Sequence, residues 1–373
     1  MKKLFTIMLS LVMVFAMSVS VFAAGSSNPA NPTNNGTIVI EKNLKVINPT
    51  LTSVDGPGAT FNYAIAPVAP AANNGGTSIT DAQNHTGTVH QGPADGVTLS
   101  EASIAYPIGT AVDAAASPGA DNVKSITATA DLSKFTAPGI YRYQLTETSS
   151  LGDCEAANTN GTRYIDVYIE NDTTGLKVAG VVMHDGSVAD GKPAQKKTLD
   201  DATFETVNVT LQKTVSGNMA DKNHEFPFAG TVSDHGRYFY AKENAAPTAV
   251  DADKVAGAAA GSPISVNLKD TETFYIAGVS KSATVAYTET NDTQDTYQTS
   301  ITGGTASAAS AVAPSGTKAM EATDVDNAGA VVFNNALESV SPTGVIMRFG
   351  PYIGMIVIAA ALVLMNRKAK TQK

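Results

Sequence analysis

One strand-like stretch decides how the rest of the chain is interpreted: residues 209–215 run Val209-Thr210-Leu211-Gln212-Lys213-Thr214-Val215. Apolar and polar residues alternate, and a period of two is typical of a β-strand with one buried face. Lys213 falls on the apolar face, where burying an unpaired charge is costly. The stretch therefore predicts an all-β fold with a core lysine that has a partner.

A similar stretch occurs earlier, where residues 38–44 run Ile38-Val39-Ile40-Glu41-Lys42-Asn43-Leu44. After each lysine strand come a strand that ends in Thr-Glu-Thr and then a strand that contains phenylalanine. These later members are residues 143–148 with Phe204 in the first set, and residues 286–290 with Phe333 in the second. Two sets of short strands with turn signals between them predict two tandem Ig-like β-sandwich domains, residues 37–206 and 207–338.

The composition argues against several classes of function. The formal net charge of -9 makes nucleic acid an unexpected partner. The single cysteine, Cys154, excludes an intramolecular disulfide, and we interpret it as incidental because no histidine lies near it in sequence. His85 and His90 lack a third ligand nearby, so no metal and no cofactor are expected. Without a phosphate-binding glycine loop or a hydrolase nucleophile motif, an enzyme is not expected either.

The N-terminal segment is predicted to direct secretion. Lys2 and Lys3 precede an almost wholly apolar run over residues 4–22, which closes on small residues. This order is typical of a signal peptide, here residues 1–23, although a retained membrane anchor is the alternative. Residues 24–36, rich in Asn, Pro and Ser, are predicted to be a flexible leader.

The C-terminal segment, residues 339–373, has three consecutive parts. Pro342, Thr343 and Gly344 precede an apolar stretch over residues 345–365 that is long enough to span a bilayer, and a basic tail follows. A plain tail anchor would need only the last two parts. With Pro-Thr-Gly in front, the arrangement resembles a sortase sorting signal, which implies cleavage between Thr343 and Gly344 and covalent attachment at the cell surface.

Three polar side chains of the second set are predicted to point into one core. Strand alternation places Glu289 and Asn335, like Lys213, on apolar faces. One interpretation is a buried ion pair with a hydrogen-bonded asparagine, because buried charges are normally paired. The other is a self-formed Lys–Asn isopeptide bond. An apolar setting favours a neutral amine and a neutral carboxyl group, so the amine can attack the carboxamide while the glutamate moves protons and ammonia leaves.

These features together resemble the streptococcal T-antigen-type major pilins. The matching stretches are residues 41–44, 138–147, 213–217, 333–335, 342–344 and 350–353. The resemblance implies CnaB-type Ig-like domains and a Lys213–Asn335 bond promoted by Glu289. It also implies a structural subunit of a covalent pilus on a Gram-positive cell surface. The implied partners are a pilus-specific sortase, neighbouring copies of the chain, minor pilins and peptidoglycan. The alternative is a sortase-anchored adhesin or pilus-tip protein displayed singly.

The first set departs from that pattern at its last member. Lys42 and Glu147 lie on apolar faces, and the resemblance gives Glu147 the promoting role. Counting from Phe204, however, the expected asparagine position holds Thr206, which has no carboxamide. Asn208 shares its face but lies about 7 Å further along the strand. We expect no Lys42–Thr206 bond, and a Lys42–Asn208 bond stays open as an alternative.

The polar segment over residues 185–201 offers lysines for joining subunits. In the resembled pilins the linking lysine lies shortly before the closing strand of the first domain. Lys197 is nearest that place, Lys196 is beside it, and Lys192 is the next candidate. The alternative interpretation is a solvated basic loop without a role.

Overall fold

A computed structural model describes much of the chain between residues 36 and 339. The described residues are 36–80, 86–117, 119–155, 161–189, 192–193, 199–234, 237–239, 242, 248, 255–257, 261–291, 297–303, 316–319, 323–325, 329–339, 352 and 355–360. Several predicted features lie outside these ranges: the signal peptide, nearly all of the leader, residues 342–344, His85, Lys196 and Lys197.

The first half of the chain forms β-strands joined by turns and two short 3-10 helices. The strands are β1 (Thr37–Ile47), β2 (Ser53–Asp55), β3 (Ala59–Pro67), β4 (Ser78–Thr80), β5 (Thr86–Gln91), β6 (Val97–Leu99), β7 (Ser103–Tyr106), β8 (Ala111–Asp113), β9 (Ala120–Ala130), β10 (Gly139–Ser150), β11 (Thr162–Asp172), β12 (Gly175–His184), β13 (Val188–Ala189) and β14 (Lys192–Pro193). The 3-10 helices are Ala72–Asn74 and Leu132–Lys134.

The second half continues in the same way. Its strands are β15 (Ala202–Ser216), β16 (Phe226–Val232), β17 (Arg237–Phe239), β18 (Val255–Gly257), β19 (Ile264–Leu268), β20 (Thr273–Ser280), β21 (Thr284–Asn291), β22 (Gln298–Thr302), β23 (Gly316–Ala319), β24 (Thr323–Asp324) and β25 (Ala330–Ala336). Residues 355–360 are helical, and most of the span predicted over residues 345–365 lies outside the described ranges. Within those ranges, no helix has the length and apolarity required to cross a membrane. The all-β prediction is confirmed.

The strands assemble into three main sheets. The largest runs β18-β17-β20-β15-β1-β9-β6, and β25 pairs with β15 and with β22. A second sheet, β12-β11-β10-β3-β7 with β5 and β4, faces the β1 side of it, and a third, β19-β16-β21-β23 with β24, faces the β15–β25 side. Between each pair of facing sheets lies an apolar core, one built mainly from residues before 205 and the other from residues after 208.

Strand β15 belongs to both cores. Its first part pairs with β1, with Leu44 opposite Ala202, and its second part pairs with β25, with Val215 opposite Asn335; both pairings are parallel. The strand that closes the first set of strands is therefore also the strand that opens the second. The predicted domain boundary between residues 206 and 207 falls inside this continuous strand, where the pairing with β20 has a register shift.

Polar groups line the place where β15 passes from one core to the other. Asn48 is buried; its side-chain amide donates to the hydroxyl of Thr206 (2.9 Å) and to the side-chain oxygen of Asn208 (3.3 Å). That Asn208 oxygen also accepts from the backbone N–H of Gly278 (3.0 Å). Gly278 has φ of +74°, and a Cβ there would lie 3.3 Å from Val54. These contacts fix the path of the chain between the two cores.

Candidate functional site

The three polar residues predicted to share the second core come together in the structure. Lys213 lies on β15, Asn335 on the adjacent strand β25, and Glu289 on β21 in the facing sheet. Each has none of its surface exposed. Lys213 is opposite Phe333 in the parallel ladder, so Asn335 lies two positions further along the neighbouring strand on the same face. The two strands thus place the amine and the carboxamide diagonally beside each other.

Glu289 bridges the other two side chains. Its Oε2 accepts a hydrogen bond from Lys213 Nζ at 2.9 Å, and its Oε1 accepts one from Asn335 Nδ2 at 2.6 Å. One carboxylate therefore contacts both the amine and the leaving nitrogen of the amide. This is the geometry that proton transfer between those two nitrogens requires.

Aromatic rings form the remaining surroundings of the amine. Lys213 Nζ lies 4.1 Å from the ring centroid of Phe226 and 5.7 Å from that of Phe228. Phe228 packs edge-on against Phe333 at 5.2 Å between centroids. Burial among these rings lowers the pKa of the Lys213 amine to about 8, and Glu289 opposes part of that shift. The neutral, nucleophilic form of the amine is therefore far more accessible than in an exposed lysine.

The first core holds a related group with a different composition. Lys42 Nζ donates to both oxygens of Glu147, at 2.9 and 3.2 Å, and the hydroxyl of Tyr63 donates to Glu147 at 3.1 Å. A third bond runs from Lys42 Nζ to the backbone carbonyl of Asp200 at 2.7 Å. Lys42 is fully buried and Glu147 nearly so. Here the amine is held by a carboxylate and a carbonyl, which is the buried ion-pair arrangement.

Neither Thr206, which was expected to form no bond, nor the alternative partner Asn208 lies near Lys42. Thr206 donates to the carbonyl of Ile47 at 3.0 Å, and Asn208 donates to the hydroxyl of Thr50. Along the β1–β15 ladder, Asn208 lies eight residues beyond the position opposite Lys42, which corresponds to about 26 Å at the rise of a strand. The alternative of a Lys42–Asn208 bond is therefore wrong on geometry.

The register identifies which residue occupies the acyl position in the first core. In the second core the acyl residue, Asn335, is opposite the residue two beyond the lysine. In the first core the residue two beyond Lys42 is Leu44, and it is opposite Ala202. Ala202 is fully buried and has no carboxamide. The sequence-based count failed because the two phenylalanines are not equivalent. Phe333 pairs with Lys213 itself, whereas Phe204 pairs with Val46, so counting two residues on from Phe204 gave Thr206.

The other candidate residues are placed as follows. Cys154 is partly buried against the first core, and burial raises the pKa of its thiol to about 12, so the thiol is protonated at neutral pH. His90 is exposed, and its ring centroid lies 5.9 Å from that of Tyr141. Lys192 lies in β14 and pairs with Ala189 of β13. No group of three or more His, Cys, Asp or Glu within the described ranges is arranged to hold a metal ion.

A further buried ionic cluster was not predicted from the sequence. Arg142 forms a two-pronged pair with Asp166, with both N–O distances 2.7 Å, and His184 lies 3.2 Å from the same carboxylate. Arg142 also donates to the carbonyl of Gly76 at 2.6 Å, and Gly186 N–H donates to the His184 ring. The cluster ties two loops to the sheet. Arg142 and Asp166 lie on the strand faces opposite to Tyr143 and Ile165, which point into the main core, so alternation gave no signal for the cluster.

Part of the chain matches a family model, and the chain is similar to several solved structures at low sequence identity. Residues 207–335 match a family model described as a domain of unknown function (DUF7601). The chain is similar to the major pilin T3.2 of Streptococcus pyogenes, with 19% identity and a TM-score of 0.49 over 82% of this chain and 99% of that one. It is also similar to another Streptococcus pyogenes major pilin, with 18% identity and a TM-score of 0.46 over 82% of this chain and 100% of that one. A pilus-presented adhesin matches at 16% identity with a TM-score of 0.26, over 47% of this chain and 37% of the adhesin. No curated protein matches.

Proposed function

We propose that the chain is the repeating structural subunit of a covalently assembled pilus on a Gram-positive cell surface, and that a self-formed Lys213–Asn335 isopeptide bond stabilises it. The observation that carries this proposal is the buried contact of one carboxylate with both an amine and a carboxamide. An ordinary ion pair needs no asparagine in that position. A reaction that removes the buried charge pair also relieves the cost of its desolvation.

The reaction proceeds in three steps. Lys213 gives a proton to Glu289, which leaves a neutral amine and a neutral carboxyl group. The amine attacks Cγ of Asn335, and the C–N bond forms while the carbonyl oxygen takes up negative charge. Glu289 then moves a proton from the attacking nitrogen to Nδ2, the old C–N bond breaks, ammonia leaves and the carbonyl re-forms. One proton of the original ammonium group stays on Glu289, so atoms and charge balance.

The bond would change how the second core responds to force. The strands β15 and β25 are parallel, and the chain enters through the start of β15 and leaves after β25. A pull on the two ends would therefore shear the ladder between these strands. With Lys213 joined to Asn335, the load passes through the covalent bond, and the residues between the two positions are not extended.

The ends of the chain supply the rest of the proposal. A sortase would cleave between Thr343 and Gly344 and transfer the Thr343 acyl group to a lysine of the next copy, drawn from Lys192, Lys196 and Lys197. The first or last copy would be joined to minor pilins or to peptidoglycan in the same way. Lys42 and Lys213 are unsuitable acceptors because both are fully buried.

The test is an immunoblot of cell-wall extract from the native host. A ladder of high-mass species that survives boiling in detergent is the expected result. A single discrete band would refute the polymer and indicate a singly displayed surface protein. Mass spectrometry of wall-released protein should find no peptide beyond Thr343, and a C-terminal peptide that contains Lys373 would contradict sortase cleavage.

A further inference from the structure

Two buried polar atoms beside the proposed bond lack partners. Among the described residues, the side-chain oxygen of Asn335 accepts no hydrogen bond, and the hydroxyl of Thr299 makes none. Asn335 is 0% exposed and Thr299 is 1% exposed, so bulk water does not satisfy either atom. A buried polar group without a partner is costly, and a catalytic role is one reason why such a group persists in a native structure.

The β-sheet register places these two residues side by side. Strand β22 runs antiparallel to β25, and Thr299 is directly opposite Asn335. Side chains directly opposite each other in an antiparallel pair share a face, with Cβ atoms about 5 Å apart. Rotation of a threonine hydroxyl about χ1 is therefore enough to bring it towards the oxygen of its cross-strand neighbour.

The reaction creates a need for a donor at that oxygen. When the Lys213 amine attacks Cγ, negative charge develops on the Asn335 oxygen, in a core closed to water. Glu289 is engaged on the opposite side of the carboxamide, where it contacts Nδ2. An oxyanion in an apolar site is stabilised by hydrogen-bond donors held ready for it.

We propose that the Thr299 hydroxyl is the oxyanion donor of the Lys213–Asn335 reaction and hydrogen-bonds the Asn335 oxygen as charge develops on it. The inference rests on the proposed cross-link, and it adds Thr299 to the three residues that carry out the reaction. It also accounts for the unpaired hydroxyl before reaction, because a donor held for the transition state has no partner in the starting amide.

Another unpaired hydroxyl in the same core provides a matched control. Tyr287 is fully buried, and its hydroxyl has no hydrogen-bond partner among the described residues. It lies on β21, two residues before Glu289 and opposite Gly230, where an added Cβ would lie 3.1 Å from its ring. Removing its hydroxyl should leave the reaction rate unchanged.

The experiment measures the rate of bond formation in the full mature chain. Protein is made by cell-free synthesis, translation is stopped, and the unreacted fraction is followed by intact mass, since reaction removes one ammonia. Thr299→Val should slow the reaction about 100-fold, the typical loss for one oxyanion donor. Thr299→Ser retains the hydroxyl and should react near the wild-type rate, and Tyr287→Phe should match wild type.

A thermal-stability measurement separates the proposed role of Thr299 from a purely structural one. In an Asn335→Ala background, which cannot react, the proposal predicts that Thr299→Val does not lower the thermal midpoint, because the substitution removes an unpaired buried hydroxyl. A purely structural role predicts a lower midpoint. A Thr299→Val rate within about twofold of wild type would overturn the proposal, given the size expected for such a donor. Equal slowing by Tyr287→Phe would overturn it as well. A wild type that keeps its full mass would instead refute the cross-link itself.

Discussion

Replacing Ala202 with asparagine should give the first core a cross-link of its own. Ala202 holds the register position that Asn335 holds in the second core, and Lys42 and Glu147 are already paired there at 2.9 Å. Ala202→Asn would supply the missing carboxamide. We expect the variant to lose one more ammonia than the wild type and to yield a branched peptide that joins positions 42 and 202.

The size of the stability change follows from the loop that the new bond would close. A loop of about 160 residues corresponds to about 5 kcal/mol in the chain-entropy model. Placing asparagine where a fully buried alanine packs costs about 1–3 kcal/mol. The net gain of about 3 kcal/mol should raise the midpoint of thermal unfolding of the first domain by about 10 °C.

Ala202→Leu is the matched control for this variant. Leucine has the branched shape of asparagine but cannot react. The stability of Ala202→Leu therefore reports the cost of packing a larger side chain at this position, with the Lys42–Glu147 pair still in place. Calorimetry and intact mass on both variants separate packing from bonding. If Ala202→Asn loses no additional ammonia while the second core is cross-linked, the equivalence of Ala202 and Asn335 is refuted.

Three further predictions concern the second core and the joint between subunits. Glu289→Gln should leave the protein at its unreacted mass and lower the thermal midpoint, since the bond would contribute about 5 kcal/mol; a cross-linked variant would exclude the proton-transfer role. The reaction needs a neutral amine and a protonated carboxyl group at the same time, which means one proton in total on the Lys213–Glu289 pair. That proton is lost as the pH rises through the Lys213 pKa of about 8. The rate should therefore be level just below pH 8 and fall about tenfold per unit above it, whereas a rate that rises through pH 8 would show that the free amine alone is limiting. Exchanging Lys192, Lys196 and Lys197 together for arginine keeps the charge but removes the acceptor amines, so the high-mass ladder should disappear; an unchanged ladder would place the linking lysine elsewhere.

Much of the second core could be predicted from the sequence because strand alternation is a local property. The period of two placed Lys213, Glu289 and Asn335 on inward faces, and the structure places all three inward. The equivalent position in the first core could not be found in this way. That position depends on the register between β1 and β15. The phenylalanines used as markers differ in register, because Phe204 pairs with Val46 in the first core and Phe333 pairs with Lys213 in the second.

Other features depend on contacts between distant segments. Thr299 is one threonine among many until β22 is aligned with β25, and only then does its hydroxyl lie beside the carboxamide. The Arg142–Asp166 pair joins neighbouring strands and holds a loop carbonyl from residues far earlier in the chain. The continuity of β15 through both cores was also hidden, because a closing strand and an opening strand have the same alternating pattern.

Intact mass and peptide mapping of the wild-type mature protein test the central claim most directly. The account predicts the loss of one ammonia from the whole chain and a branched peptide that joins Lys213 to Asn335, while Lys42 remains a free amine. A protein at its full calculated mass, with linear peptides that contain Lys213 and Asn335 separately, would contradict it.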